Sequence, residues 1–276
     1  MPDRLRAPAF LGTGAKRFQE AGGEPVAPRD AATVILLRPS TTVSTGASDG
    51  FEVFTQKRAA TMAFAAGMYV FPGGTVDPRD AHASVGWVGP SPQEWAARLG
   101  RSVDEARAVV CAAVREVFEE CGVLLAGPDE STVVGDVAGD EWEASRLALL
   151  NREVGLAALL EDKGLLVRSD LLAPWARWLT PEFEPRRYDT FFFLARLPAE
   201  QRTRDVGGES VHAVWAPPAQ LAGLEMLPPT AYTLRQLASY ETIDALLTAS
   251  GGRDLTKPVR PYIEIDNEGP WLVLGS

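Results

Sequence analysis

The chain has 276 residues, 46% of them hydrophobic and 23% charged, with a formal net charge of −10 at pH 7. That is enough apolar material for one large domain or two small ones with a real core, and no apolar run reaches the roughly 20 residues of a membrane span. The acidic balance excludes non-specific nucleic-acid binding, which needs a basic surface, and obliges any site for an anionic substrate to use metal ions or a local arginine cluster.

Residues 1–30, rich in Gly, Pro and charge, read as an irregular arm. AATVILLRP (31–39) reads as a strand apolar on both faces, TTVSTGASDG (41–50) as a turn, and FEVFTQKR (51–58) as a second strand of the same hairpin. MYVFPGG (68–74) is a short strand running into a Pro-Gly-Gly loop, and a short helix is expected at PQEWAARL. Ser102 and Glu105 form a capping box. Beyond it Val103, Ala106, Val110, Ala113, Val114, Val117 and Cys121 recur at helical spacing until Gly122 ends the run. VLLA (123–126) restarts as strand, EWEASRLALLNREVGLAALLEDK (141–163) reads as a helix, and FFFLARLP and SVHAVWAPP read as strands. Two C-terminal helices, TAYTLRQLASY and TIDALLTASG, precede a hairpin at PYIEIDNEGPWLVLG. The mixture indicates a layered fold, α/β/α or α+β, with one domain over 31–276 and insertions at about 78–101 and 130–172.

One stretch is locally unfavourable. In REVFEECGV (115–123), Glu116, Glu119 and Glu120 crowd the last turn and a half of a helix. A carboxylate at a helix C-terminus costs on the order of 0.3–1 kcal/mol, and the like-charged Glu116–Glu120 pair adds ~0.2–0.5 kcal/mol. Nothing in local stability explains the choice, so a positive group is expected in front of them.

FPGG (71–74) and REVFEECGV together resemble the two halves of a Nudix box, G-x5-E-x7-R-E-U-x-E-E-x-G-U, where U is aliphatic. Arg115, Glu116, Val117, Glu119, Glu120, Gly122 and Val123 match every specified position of the second half. The first half departs: 41 positions separate Gly74 from Arg115 where the pattern has 14, so 27 residues are added, and Arg107 stands where the pattern has Glu. A split box of this kind resembles the branch of the peroxisomal coenzyme A diphosphatases, with similarity running over about residues 32–240. A motif seen before the box in coenzyme A-cleaving members, L-L-T-x-R-[SA]-x3-R-x3-G-x3-F-P-G-G, is matched at Arg58, Ala59, Gly67 and Phe71–Gly74, while Ala63 replaces its second Arg.

The resemblance implies a Nudix α/β/α sandwich with a mixed central sheet and a helical insertion. It implies a diphosphatase acting on a small-molecule nucleoside diphosphate derivative, with coenzyme A or its thioesters favoured and ADP-ribose or NADH open. A catalytically silent nucleotide-binding sensor on the same fold is the rival, against which the retained glutamates speak. By resemblance, Glu116, Glu119 and Glu120 hold Mg²⁺ or Mn²⁺, with a backbone carbonyl at Gly73 or Gly74, and Arg115 orients one of the glutamates. Hard oxygen ligands on one helical arc independently suit those ions. The general base is a helix glutamate or a loop residue such as Glu209, for which a solvated loop position is equally open.

Arg58, Arg186 and Arg187 are candidates for binding substrate phosphate, surface ion pairs being the alternative for the last two. His82 and His212 read as incidental polar residues. Cys111 and Cys121 lie roughly 15 Å apart on one predicted helix, too far to pair with each other. Together with the lack of a secretory signal and of a C-terminal S-K-L, this makes a reducing cytoplasm the expected compartment. No membrane partner is expected, and the apolar insertion makes a homodimer a fair expectation.

Overall fold

The computed structural model describes residues 4–7, 9–40, 50–61, 65–81, 85–204 and 210–275. Residues 41–49 of the expected turn, Ala63, His82 and the candidate base Glu209 lie outside them.

In chain order, strand β1 (Arg4–Arg6) and helix α1 (Ala9–Ala21) precede the long strand β2 (Arg29–Pro39) and its antiparallel neighbour β3 (Phe51–Arg58). The Pro-Gly-Gly segment contributes β4 (Tyr69–Val70) and β5 (Gly73–Thr75). The residues added inside the split box carry a 3-10 turn at Pro78–Ala81, β6 (Trp87–Val88) and α2 (Pro92–Leu99), and then comes the acidic helix α3 (Val103–Cys121). Next are β7 (Ala126–Gly127), α4 (Asp140–Leu150), α5 (Leu156–Asp162) and β8 (Leu166–Arg168). β9 (Ala173–Leu179), β10 (Tyr188–Arg196) and β11 (Ser210–Ala216) complete the main sheet. The chain ends with α6 (Pro218–Leu221), α7 (Pro228–Leu237), α8 (Ile243–Ser250) and the hairpin β12 (Arg260–Asp266) and β13 (Gly269–Gly275).

The main sheet runs β11-β3-β2-β10-β9, with β4 beside β3 and β5 beside β2. It is mixed, because β10 lies parallel to β2 while the other pairings are antiparallel. Successive side chains of β2 go to opposite faces. Ala32, Val34 and Leu36 join the core under α3, while Ile35 and Leu37 join a second core beneath α7, α8 and β13. Both faces are covered, which is why the strand reads as an unbroken apolar run. The result is the α/β/α sandwich expected, with β2 carrying Gly73 and Gly74 against its first half.

Three elements differ from the sequence reading. The arm expected to be irregular holds β1 and the 13-residue α1, and β1 pairs with β13, a partner more than 260 positions away that no local pattern announces. The helix expected over 141–163 is two helices, broken where Arg152 takes a left-handed φ of 61° and Gly155 caps α5. VLLA is buried but mostly not strand: the side-chain amide of Gln201 both donates to Leu124 O (2.9 Å) and accepts from Leu124 N (2.8 Å), standing in for a strand partner. Among the described residues, no helix is long and apolar enough to cross a membrane.

Candidate active site

Helix α3 begins at the capping box foreseen, Ser102 accepting from Glu105 N and Glu105 reaching back to Ser102 N, and ends at Gly122 in the left-handed region (φ 69°). Val109, Val110, Val114, Val117 and Phe118 are wholly buried. Each such side chain contributes about 1.5–3 kcal/mol, several times what three C-terminal glutamates cost. Packing fixes the helix and the acidic end is carried along. Arg146, from α4, relieves part of that cost: its Nη1 donates to the carbonyl of Glu119 at 2.7 Å, placing positive charge at the negative end of α3.

Arg115 is the hub. Its guanidinium donates to Asp80 Oδ1 from Nε and to Asp80 Oδ2 from Nη2, both at 2.9 Å. Nη2 also reaches Thr75 O (2.9 Å), while Nη1 donates to Glu116 Oε1 (2.7 Å) and Glu119 Oε2 (3.2 Å). Arg115, Glu116 and Glu119 are each 8% exposed and Asp80 is 3% exposed. The expectation of one glutamate partner for Arg115 is therefore extended to two, plus an aspartate from the added residues. Asp80 was missed because it has no place in the box pattern; the only hint was the charged cluster VDPRD directly after Pro-Gly-Gly.

Glu120 points the other way along the same edge, accepting from Gln56 Nε2 (2.5 Å) and from Gly73 N (2.9 Å). A Cβ on Gly74 would lie 2.5–2.6 Å from the Glu116 carboxylate, which would have to move, and one on Gly73 would meet Thr33 Oγ1 at 2.7 Å and the backbone Thr33 Cα at 2.8 Å. The Pro-Gly-Gly bend is pressed against the acidic edge, and at Gly73 the backbone itself leaves no room for a side chain.

One guanidinium thus serves three carboxylates, Asp80, Glu116 and Glu119, and the charge does not balance locally. Burial, the largest influence, pushes the Glu116 carboxyl up to about 7 against the pull of Arg115. It raises Glu119 too, with Arg115 and, more weakly, Arg152 opposing the shift. Arg115 is held above its ordinary value: burial acts against its charge, and the hydrogen bond to Asp80 with the surrounding carboxylates outweighs it. Among the described residues, three acidic, His or Cys side chains are nowhere already grouped as a metal cluster; Arg115, Gln56 and Gly73 N hold the glutamates. The donor chemistry nevertheless fits a hard divalent cation. Glu116, Glu119 and Glu120 offer oxygen only, and the buried excess of negative charge is of the kind that such an ion neutralises.

The glutamates open onto a cavity of about 1270 Å³. Arg58, Gln56, Gly74, Arg146 and Arg152 line its acidic end, while Trp178, Phe192, Leu227, Pro261 and Leu272 line an apolar end beneath α7 and the C-terminal hairpin. Of the residues singled out from sequence, Arg58, Gly74, Arg115, Glu116, Glu119 and Glu120 are brought together on this wall. Arg186 and Arg187 are not part of it. Arg187 is buried and turned away, donating to Thr180 O (3.2 Å) and Val26 O (2.8 Å), where it ties β10 to the approach of β2. Two of its five N–H donors are committed to those carbonyls, and the residue is not among those that line the cavity. His212 stacks edge-on with Tyr69 away from the glutamates (6.4 Å between centroids). Cys111 and Cys121 are buried free thiols, the former pushed up to about 12 by burial.

A family model described as the NUDT19 Nudix domain matches residues 90–237, more than half of the chain. Putative nudix hydrolase 7 of Caenorhabditis elegans is 28% identical over 231 residues, covering 78% of this chain and 62% of that protein. The acyl-coenzyme A diphosphatase NUDT19 of Homo sapiens is 27% identical over 283 residues, covering 82% of this chain and 73% of that protein. The corresponding Xenopus laevis protein is also spanned over 62% of its length, so this chain matches somewhat under two thirds of some of its curated relatives. Among solved structures, a NUDIX hydrolase from Alicyclobacillus acidocaldarius superposes with a TM-score of 0.66 at 27% identity, covering 81% of this chain and 96% of that one. The split motif, the two-sided sandwich and these likenesses agree: the chain belongs to the Nudix family, in the group described by the NUDT19 Nudix domain.

Proposed function

We propose that this protein is a divalent-cation-dependent diphosphatase that hydrolyses coenzyme A or an acyl-coenzyme A, giving 3′,5′-ADP and a 4′-phosphopantetheine product. The observation that carries this reading is the continuity of one cavity from the Glu116–Glu119–Glu120 edge to an apolar end walled by Trp178, Phe192 and Leu272. A diphosphate linking a polar nucleotide to a long, partly apolar arm matches that division. The volume of about 1270 Å³ exceeds the roughly 300–1,000 Å³ typical of pockets for small ligands, as such a substrate requires.

Glu116, Glu119 and Glu120 would hold Mg²⁺ or Mn²⁺, assisted by a backbone carbonyl at Gly73 or Gly74. Such an ion, when bound, neutralises charge developing on the diphosphate and makes bound water a better nucleophile. Arg115, fixed by Asp80, orients Glu116 and Glu119 and keeps their rotamers from collapsing into solvent. Gln56 and Gly73 N do the same for Glu120. Proton removal from the attacking water is assigned to a glutamate of this edge, or to Glu209. The likeness to proteins named as acyl-coenzyme A diphosphatases supports the substrate class.

Incubating the purified chain with Mg²⁺ or Mn²⁺ and coenzyme A, an acyl-coenzyme A, ADP-ribose and NADH, then separating products chromatographically, tests the proposal. Release of 3′,5′-ADP from the thioester is the expected result. Faster turnover of ADP-ribose or NADH moves the assignment to those substrates, and no turnover of any of them favours the silent sensor.

A further inference from the structure

The sequence leaves the helical insertion without a role, and the structure brings its hinge to the catalytic edge. Arg152 stands between α4 and α5 and lines the same cavity as Glu116 and Glu119. Its backbone is left-handed, with φ 61°, a conformation that costs a non-glycine residue stability and persists only where the surroundings impose it. The surroundings do so here. Arg79, in the residues added inside the box, donates through Nη1 to Arg152 O (2.9 Å) and Val154 O (3.3 Å). The same Arg79 grips Asp77 with two hydrogen bonds of 2.9 Å from Nε and Nη2. One insertion thus holds the other, and the turn is anchored to the loop that follows Pro-Gly-Gly.

Three of the arginines that line this cavity are spoken for. Arg115 serves Asp80, Glu116 and Glu119; Arg146 serves Glu143 and the carbonyl of Glu119; Arg79 serves Asp77 and the two hinge carbonyls. Arg152 differs. Its side chain is 76% exposed, and its ion-pair neighbour, Asp77 Oδ2, stands at 4.0 Å and is already held by Arg79.

We propose that Arg152 is a substrate-positioning residue that binds the diphosphate of the incoming ligand, and that the helical insertion and the residues added within the box serve together to present it. The proposal deepens the diphosphatase reading and rests on it for the nature of the ligand. A guanidinium offers a planar pair of donors matched to two phosphate oxygens, and Arg152 lines the same cavity as the glutamates. An ammonium on the same stem would keep the charge and lose the paired geometry. The pinned backbone reduces the ordering cost of engaging it on binding.

Binding of methylenediphosphonate, a diphosphate analogue with a non-hydrolysable P–C–P bridge, in the presence of Mg²⁺ tests this by calorimetry on the full chain and on Arg152→Ala and Arg152→Lys. Arg152→Ala is expected to weaken binding on the order of tenfold or more, Arg152→Lys to recover part of the loss, and melting temperatures to stay together because the side chain is exposed. In turnover, the same variants are expected to raise KM more than they lower kcat. Binding by Arg152→Ala within twofold of the parent, at an unchanged melting temperature, overturns the proposal. So does failure of the parent chain to bind the analogue. Because the binding measurement needs no turnover, analogue binding without hydrolysis would sink the diphosphatase reading while leaving the assignment of Arg152 standing.

Discussion

Arg115 and Asp80, 35 positions apart, form a buried two-pronged ion pair with both hydrogen bonds at 2.9 Å. The pair joins the acidic helix to residues added within the box, so the lengthened loop is clamped at its start onto the motif it interrupts. The same guanidinium holds two of the three glutamates, and any loosening of Asp80 is passed to them.

Removing one partner of a buried ion pair costs about 3–5 kcal/mol, because the other charge is left uncompensated. Asp80→Asn is therefore expected to lower the melting temperature by roughly 6–20 °C, at ~2–4 °C per kcal/mol for a chain of this order of size. It is also expected to reduce hydrolysis through misplacement of Glu116 and Glu119. Thermal unfolding followed by circular dichroism checks the first part; a melt within a degree or two of the parent would show that Arg115 is held by other means.

Gly74→Ala separates geometry from stability. Its Cβ would sit 2.5–2.6 Å from the Glu116 carboxylate, a flexible end that can move, whereas Gly73→Ala would press on the backbone of Thr33. Gly74→Ala should fold and lose most of its activity, and Gly73→Ala should lose stability as well. A fully active Gly74→Ala protein would mean that the position of Glu116 matters little.

The glutamates set a pH signature. Glu116 is raised from 4.5 to about 7, chiefly by burial, so between those values the folded chain binds more protons than the unfolded one. Stability from this source is full below pH 4.5 and is lost as pH rises toward 7. A divalent cation needs the ionised carboxylates and reverses the trend. Mn²⁺ should therefore raise the melting temperature more at pH 8 than at pH 5.5, by differential scanning calorimetry. An equal shift at both values would place the ion elsewhere.

Asp189 behaves oppositely. Burial acts to raise its pKa, but hydrogen bonds from Arg177 and Arg101 outweigh it and hold the carboxyl below its ordinary 3.8. Its contribution is present in full above that value and is lost as pH falls through the lowered native pKa. Asp189→Asn should melt well below the parent at pH 7, with the gap narrowing in acid as Asp189 is protonated. A gap that persists in strong acid would mean that its charge is not the stabilising element.

Much of the chemistry was legible in the sequence because it is local. The capping box at Ser102 and Glu105, the stripe that buries α3, Gly122 at its end and the three glutamates all lie within 21 residues. The sandwich was implied by the resemblance of the split motif, and the strand read as apolar on both faces, β2, lies between its two cores. What stayed hidden depends on contacts between distant segments. Asp80 finds Arg115 only after the added residues fold back, and the contacts of Arg187 with the carbonyls of Val26 and Thr180 join segments far apart in the chain. The turn at Arg152 interrupts a helical pattern without a glycine or proline at that position, because Arg79 imposes it from outside.

The most direct measurement is the rate of diphosphate hydrolysis by Glu119→Gln and Glu120→Gln beside the parent chain, at saturating Mg²⁺ or Mn²⁺ and on the best substrate of the panel. If these carboxylates anchor the ion, each variant should fall by at least ~10²-fold, since removing groups that merely support metal ligands already costs about 10–100-fold, while both stay folded. Rates within a few-fold of the parent in folded variants would contradict metal-dependent catalysis at this edge.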